Sequence, residues 1–165
     1  MQNLVSKKEE EERRLKALAE YRILGTKPES CYDDITKIAA TTCNVPISLM
    51  TLVDKDKQWF KSKIGLQISE TRRDWSFCTH AIKENSPLII HDAFQDERFI
   101  NNPLVTGDPK IRFYAGFPLR NSDGNKLGTL CVIDRKPGNL TTQQFNIMEL
   151  LSKQIVSFLE LRKKS

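Results

Sequence analysis

The segment Trp75-Ser76-Phe77-Cys78-Thr79-His80 holds the two residue types that thiol chemistry uses, a sulfur nucleophile and an imidazole. A thiolate at Cys78 could also draw stabilisation from the start of a helix. The spacing works against the pair, because residues i and i+2 of a helix point about 200° apart, so His80 is not expected to activate Cys78 directly. The competing reading of Cys78 is a packed helix cysteine. The remaining cysteines are Cys31, Cys43 and Cys131, and no two of the four fall at Cys-x2-Cys spacing. With only His80 and His91 to help, a closed four-ligand metal site is not expected. Cys43 ends an apolar helical stripe and Cys131 lies inside Leu127 to Ile133, so both read as small core hydrophobes.

Asp92 and Asp96 are the right types for an acid and base pair, yet beside Arg98 in a loop they more naturally cap turns or form ion pairs. The chain has no Gly-x-x-x-x-Gly-Lys-Ser/Thr, Gly-x-Gly-x-x-Gly or Gly-x-Ser-x-Gly segment, so phosphate cradling by a glycine loop and hydrolase chemistry lack support. Binding has more. In Ile111 to Phe117, strand alternation puts Ile111, Phe113, Ala115 and Phe117 on one side and Arg112, Tyr114 and Gly116 on the other. An arginine and a tyrosine beside a glycine that leaves space suit a recessed site for a polar or anionic small molecule. The alternative is a structural ion pair from Arg112 to Asp92 or Asp96.

Positioning these groups takes a mixed set of elements. Ser6-Lys7-Lys8-Glu9 reads as a capping box opening a helix to about Ile23, with Leu15, Leu18, Ala19 and Arg22 as its docking stripe. Its first two turns are almost wholly charged, which suits a front half that projects into solvent or a partner. A second helix is predicted from Ser30 to Cys43, with Ile35, Ile38, Ala39 and Thr42 inward. Pro46 to Asp54 and Gln58 to Ile64 form a hairpin whose second strand is half-exposed, with Trp59, Lys61 and Lys63 alternating against Phe60, Ser62 and Ile64. Gly65 to Asp74 reads as loop, Ser76 to Asn85 as a short helix, and Pro87 to His91 as a short strand. Asp92 to Pro109 has no sustained period, and an irregular stretch of that length is usually functional or mobile. Ile111 to Leu119 and Lys126 to Asp134 pair across Ser122-Asp123-Gly124-Asn125. Thr141 and Gln144 cap a last helix to about Lys163. Its apolar surface exceeds one sheet contact: Phe145, Met148, Ile155 and Leu159 can face a sheet, while Ile147, Leu150, Leu151, Phe158 and Leu161 need another cover. The first helix is the nearest candidate within the chain, and a second copy is the next, giving a dimeric bundle.

The order of elements gives an α+β domain, an antiparallel sheet with helices on both faces. At 165 residues with 39% hydrophobic and 28% charged, the chain fits one globular domain that needs no disulfide or metal. No apolar run is long enough to span a bilayer, and the start, Met1 to Val5 followed by Lys7 to Arg14, has no signal-peptide pattern, so a cytoplasmic protein is expected. The net charge of +5 is spread thinly, and Lys7 to Arg14 carries four residues of each sign. That distribution gives no one-sided basic face for a nucleic acid.

Several longer segments together carry a family likeness: Glu20 to Thr26, Leu52-Val53-Asp54 with Gln58 to Ser62, Ser76 to Ile82, Asp92-Ala93 with Asp96, Arg98 and Phe99, Asn102 to Val105, Ile111 to Gly116 and Gly128 to Asp134. In that order they resemble a bacterial branch of the GAF domain family over about residues 15–162. The resemblance implies a central six-stranded antiparallel sheet, terminal helices on one face that often dimerise, and a small-molecule pocket on the other. It divides the chain into a charged helical extension, 1–14, and one GAF domain, 15–165. Carried over, it implies a pocket built from Phe77, Cys78, His80, Asp92, Phe99, Arg112 and Tyr114. It also implies a sensory, non-enzymatic role in signal transduction, coupled to a kinase, cyclase or phosphodiesterase, attached or separate, with the ligand unspecified. Covalent bilin is not expected, because Thr79 separates Cys78 from His80. A free methionine sulfoxide reductase would need further pocket-loop cysteines than Cys78. The alternatives are a thiol reductase of that kind acting through Cys78, and a ligand-free dimerisation module with Phe77, Phe99 and Tyr114 packed together.

Overall fold

The computed structural model describes residues 4–165, with side chains from Ser6 onward; residues 1–3 of the expected charged extension lie outside them. Six strands form one antiparallel sheet: β1 (Ile47–Val53), β2 (Lys57–Ile64), β3 (Glu70–Arg72), β4 (Leu88–Ile90), β5 (Phe113–Arg120) and β6 (Lys126–Asp134), in the order β3-β2-β1-β6-β5-β4. The two long hairpins meet along β1 and β6, where Ile47 sits opposite Ile133 and Leu52 opposite Gly128. Both strands are covered on both faces, which is why all seven residues of β1 are buried, Ser48 and Thr51 included, and its five apolar residues do not alternate with exposed ones. Gly128 lets these strands close, because a Cβ there would lie 1.9 Å from the carbonyl oxygen of Thr51. β3 falls within the expected loop; three polar residues pairing with β2 at the sheet edge leave almost no apolar signal to read.

Helices α1 (Leu4–Glu20), α2 (Ser30–Cys43) and α5 (Thr142–Lys164) cover one face, and α3 (Phe77–Ala81) and α4 (Pro103–Thr106) cover the other. The first helix corrects two expectations. It has already begun at Leu4, so Ser6 lies inside it rather than capping it, and it ends at Glu20, with Arg22 at φ +52°. Its docked face is Arg14, Ala17 and Leu18, continued by the buried Tyr21 just past its end, while Ala19 and Arg22 are exposed. Arg14 enters the stripe because its charge is matched: its guanidinium grips Glu11 at 2.9 Å and 3.0 Å and donates to the Lys126 carbonyl.

α2 has the expected bounds, but Thr36 rather than Ile38 faces in. The cause lies on β2. Met50 pairs with Ser62 and Thr51 with Phe60, leaving Lys61 as the extra residue of a bulge. Lys61 and Ser62 both turn to the helix side instead of alternating. Ser62 Oγ meets Thr36 Oγ1 at 2.7 Å, and the Lys61 ammonium, its side chain 0% exposed, reaches Thr26 Oγ1 and Glu29 Oε2 at 2.7 Å each. Glu29 in turn receives Arg162 of α5, which also donates to the carbonyls of Tyr21 and Arg22.

α5 opens with the expected reciprocal Thr141 and Gln144 cap. Met148, Ile155 and Leu159 are buried against the sheet, and Phe145 packs on Phe117. Its flank is covered by α2 rather than by α1, through Phe158 set edge-on to Tyr32 at 6.1 Å. Leu150 and Leu161 remain 64% exposed.

Candidate functional site

Ser76 fixes the entrance to α3. Its Oγ accepts from the Thr79 amide at 3.2 Å and lies 2.8 Å from Gln58 Oε1 of β2, tying the helix start to the sheet. That anchor turns Cys78 inward, where its sulfur lies 3.1 Å from the Tyr114 hydroxyl and 3.0 Å from Thr129 Oγ1. Thr129 Oγ1 continues to Thr51 Oγ1 at 3.0 Å, and Cys131 completes the cluster beside Cys78. Burial raises the cost of a Cys78 thiolate, while hydrogen bonds from Cys131, Thr129, Thr51 and Tyr114 favour it, making Cys78 the more acidic thiol of the pair. Burial and the neighbouring Cys78 push Cys131 well up, and burial with the Cys78 charge does the same to Tyr114.

A pocket does lie between α3, α4 and the sheet, but it is nearly closed, with a cavity of about 20 Å³, on the order of one water molecule. The space that Gly116 leaves is filled from within its own strand: the Tyr114 ring lies over it, and a Cβ at Gly116 would meet the Tyr114 oxygen at 2.1 Å. Tyr114 packs on Phe77 at 5.1 Å, and Phe77 stacks on Phe99 at 4.1 Å.

Of the seven residues expected at the pocket, Phe77, Cys78 and Tyr114 line it. Phe99 stands behind Phe77, and the His80 ring sits edge-on to Phe99 at 4.8 Å, away from the Cys78 sulfur. Burial lowers the His80 pKa, helped by Lys83 and Arg98. Asp92 caps a short turn by accepting from the Phe94 amide, and Asp96 binds Arg98 at 2.8 Å. Arg112 therefore makes no ion pair with either aspartate. Its guanidinium donates to the carbonyls of Val105 and Ile111, strapping the α4 segment down, and lies 4.9 Å from the centre of the exposed Phe94 ring. Ile111 precedes β5, so the alternation does not reach it, and it lines the pocket with Tyr114.

Sequence reasoning missed Thr51, Thr129 and Cys131. A threonine inside an otherwise apolar central strand is the available signal, since a buried hydroxyl needs a partner. The cluster offers a buried thiol within hydrogen-bond distance of two hydroxyls, Tyr114 and Thr129. Among the described residues no three of His, Cys, Asp and Glu gather to hold a metal, and no helix is long and apolar enough to cross a membrane.

The model of the GAF domain family matches residues 27–158. The chain belongs to that family. It is 37% identical over 150 residues to a cyclic di-GMP phosphodiesterase of Pseudomonas aeruginosa, a match covering 90% of this chain but only 26% of that protein. Among solved structures, the GAF domain of an Acinetobacter phosphoenolpyruvate-protein phosphotransferase superposes with TM-score 0.63 at 15% identity, covering 98% of this chain and 96% of that one. A free methionine-R-sulfoxide reductase of Neisseria meningitidis, solved with its substrate, gives TM-score 0.66 at 13% identity, covering 88% and 86%. These two likenesses establish the six-stranded fold.

Proposed function

We propose that this chain is a regulatory sensor, not an enzyme, acting in the cytoplasm as the GAF module, residues 15–165, of a signalling protein, with 1–14 as a charged extension. The phosphodiesterase relative, of which the matched segment is about a quarter, supports an output module of that kind; a kinase or cyclase is the other output this reading admits. The observation that carries the reading is the outward face of α5. Gln143, Ile147, Leu150, Gln154, Ser157 and Leu161 recur at alternating spacings of four and three, roughly opposite the buried Met148, Ser152, Ile155 and Leu159. A helix with two facing sets is built to lie on the sheet and on a second copy at once. On this reading, α5 pairs with α5 of the partner copy and hands the signal to whatever follows.

The ligand pocket belongs to the α3 and α4 face, with Phe77, Cys78 and Tyr114 as its walls and Arg112 acting through the strap it places on α4. Phe99 and His80 back those walls, and Asp92 holds the turn that opens the loop. A ligand enters by lifting the 103–111 segment off Tyr114, and it shifts the helices only as far as it binds their two arrangements unequally. Sedimentation at high concentration tests the pairing: a species of twice 19.0 kDa is expected, and Leu150→Glu with Leu161→Glu should return it to a monomer. A wild-type monomer under those conditions removes the proposal.

A further inference from the structure

The helix face carries a second, larger cleft that the pocket reading does not use. It opens between α5 and the β5–β6 hairpin and encloses about 320 Å³, within the range of small-ligand sites. Its floor is apolar, from Phe117, Pro118 and Val156, and its rim carries Arg120, Lys126 and Lys153. Arg120 and Lys126 are direct partners across the hairpin. Like charges so placed repel, which is unfavourable unless something negative lies between them. Among the described residues no ion pair joins any of the three cations to a carboxylate. The half-buried Lys126 ammonium is held below its usual pKa by burial and by Arg120, and Glu84 and Glu10 offset this only in part. Glu149 also lines the α5 wall.

We propose that the α5/β5–β6 cleft binds a small organic anion, a phosphate head on a flat ring, with the head between Arg120 and Lys126 and the ring over Phe117 and Val156. Arginine and lysine match the head in charge, and the apolar floor contributes only when a ring follows it. The occupant touches the hairpin on one side and α5 on the other, on a flank of α5 distinct from the Leu150 and Leu161 face. The site therefore stands whether or not the copies pair through that face.

The test is an NMR titration of the full chain with phenyl phosphate, with inorganic phosphate as the head-only control. Phenyl phosphate should shift the Lys126, Lys153 and Val156 amide signals with millimolar affinity, and inorganic phosphate should bind at least fivefold more weakly. Arg120→Met with Lys126→Met should weaken phenyl phosphate at least tenfold, whereas Lys16→Met, exposed on α1 and outside the cleft, should leave it unchanged. The Lys126 amine should titrate at higher pH when the cleft is filled. Absence of shifts up to ~20 mM, a range set by the weak affinities of fragment-sized ligands, would overturn the proposal. Equal affinity for the two phosphates, or equal binding by the double variant, would overturn it as well.

Discussion

The Tyr114 hydroxyl lies directly above the α-carbon of Gly116, two residues along the same strand, so closely that a Cβ there would stand 2.1 Å from the oxygen. The ring and the missing side chain form one fitted unit, and that unit closes the pocket. Gly116→Ala should force the ring off the sheet and cost roughly 1–3 kcal/mol, the usual range for overpacking a buried site. Tyr114→Ala should cost roughly 3–5 kcal/mol through cavity formation and, by emptying the space, recover stability when benzene-sized compounds are added. Urea denaturation of both variants, with and without benzene, is the measurement.

Glu11 gives a pH signature. Burial works to raise its pKa, but hydrogen bonds and charge from Arg14 and Arg73 outweigh it and bring the group from 4.5 to about 2. A folded-state value below the unfolded one means stability that is complete above the unfolded pKa and lost as pH falls through the folded one. Glu11→Gln should therefore be less stable than wild type at pH 7, by about 1 kcal/mol because the pair is partly exposed. The difference should hold to about pH 5 and shrink from 4.5 toward 2. A gap that persists at the acid end would assign the effect to packing instead.

Lys61 and Glu29 form an ion pair of unequal burial, the lysine side chain 0% exposed and the glutamate 41%. Removing the carboxylate strands a buried ammonium, whereas removing the ammonium leaves a carboxylate that water and Arg162 still serve. Glu29→Gln should therefore destabilise more than Lys61→Met, by about 2 kcal/mol against about 1 kcal/mol or less. The reverse order in chemical denaturation would place the lysine in better contact with solvent than its burial implies.

The thiols should separate kinetically. Cys31 is half-buried, whereas Cys43, Cys78 and Cys131 are buried. Burial and the Glu29 charge raise the Cys31 pKa, and burial alone pushes Cys43 up to about 11. With an aromatic disulfide reagent at pH 8, one thiol should react slowly in the native protein, and Cys31→Ser should abolish that phase. The other three should appear only on unfolding. Rapid native labelling of Cys78 would show that the pocket opens readily.

The three long helices, the start of α3 and five of the strands were legible because each carries its own periodicity or cap, as in the Thr141 and Gln144 pair or the run from Ile47 to Val53, whereas α4, a single turn inside the stretch read as irregular, was not. The elements that misled are governed by partners far along the chain. Lys61 reads as a solvent-facing strand residue, and only the bulge opposite Met50 and Thr51 turns it toward Glu29. Arg14 reads as part of a charged run until Glu11 and the Lys126 carbonyl claim it. The site was half legible for the same reason. The family resemblance brings Phe77, Cys78 and Tyr114 to one pocket, but the threonine and cysteine partners come from β1 and β6, and nothing in Gly116 itself tells that its vacancy is taken by its own neighbour. For Asp92 and Asp96, local turn chemistry was the better guide, and the ion pair to Arg112 that the loop invited is absent.

The meeting of β1 with β6 at the middle of the sheet also governs the protein's biosynthesis. While the ribosome is still adding residues up to Asp134, the β1–β2 hairpin must wait with one long, apolar edge unmatched, since its partner is the last strand to be made. Such an edge is a template for stray pairing between nascent chains, and a sheet closed by contacts this remote in sequence assembles slowly compared with a helical bundle of equal size. Shortened products that stop before β6 should accordingly aggregate rather than persist as stable fragments.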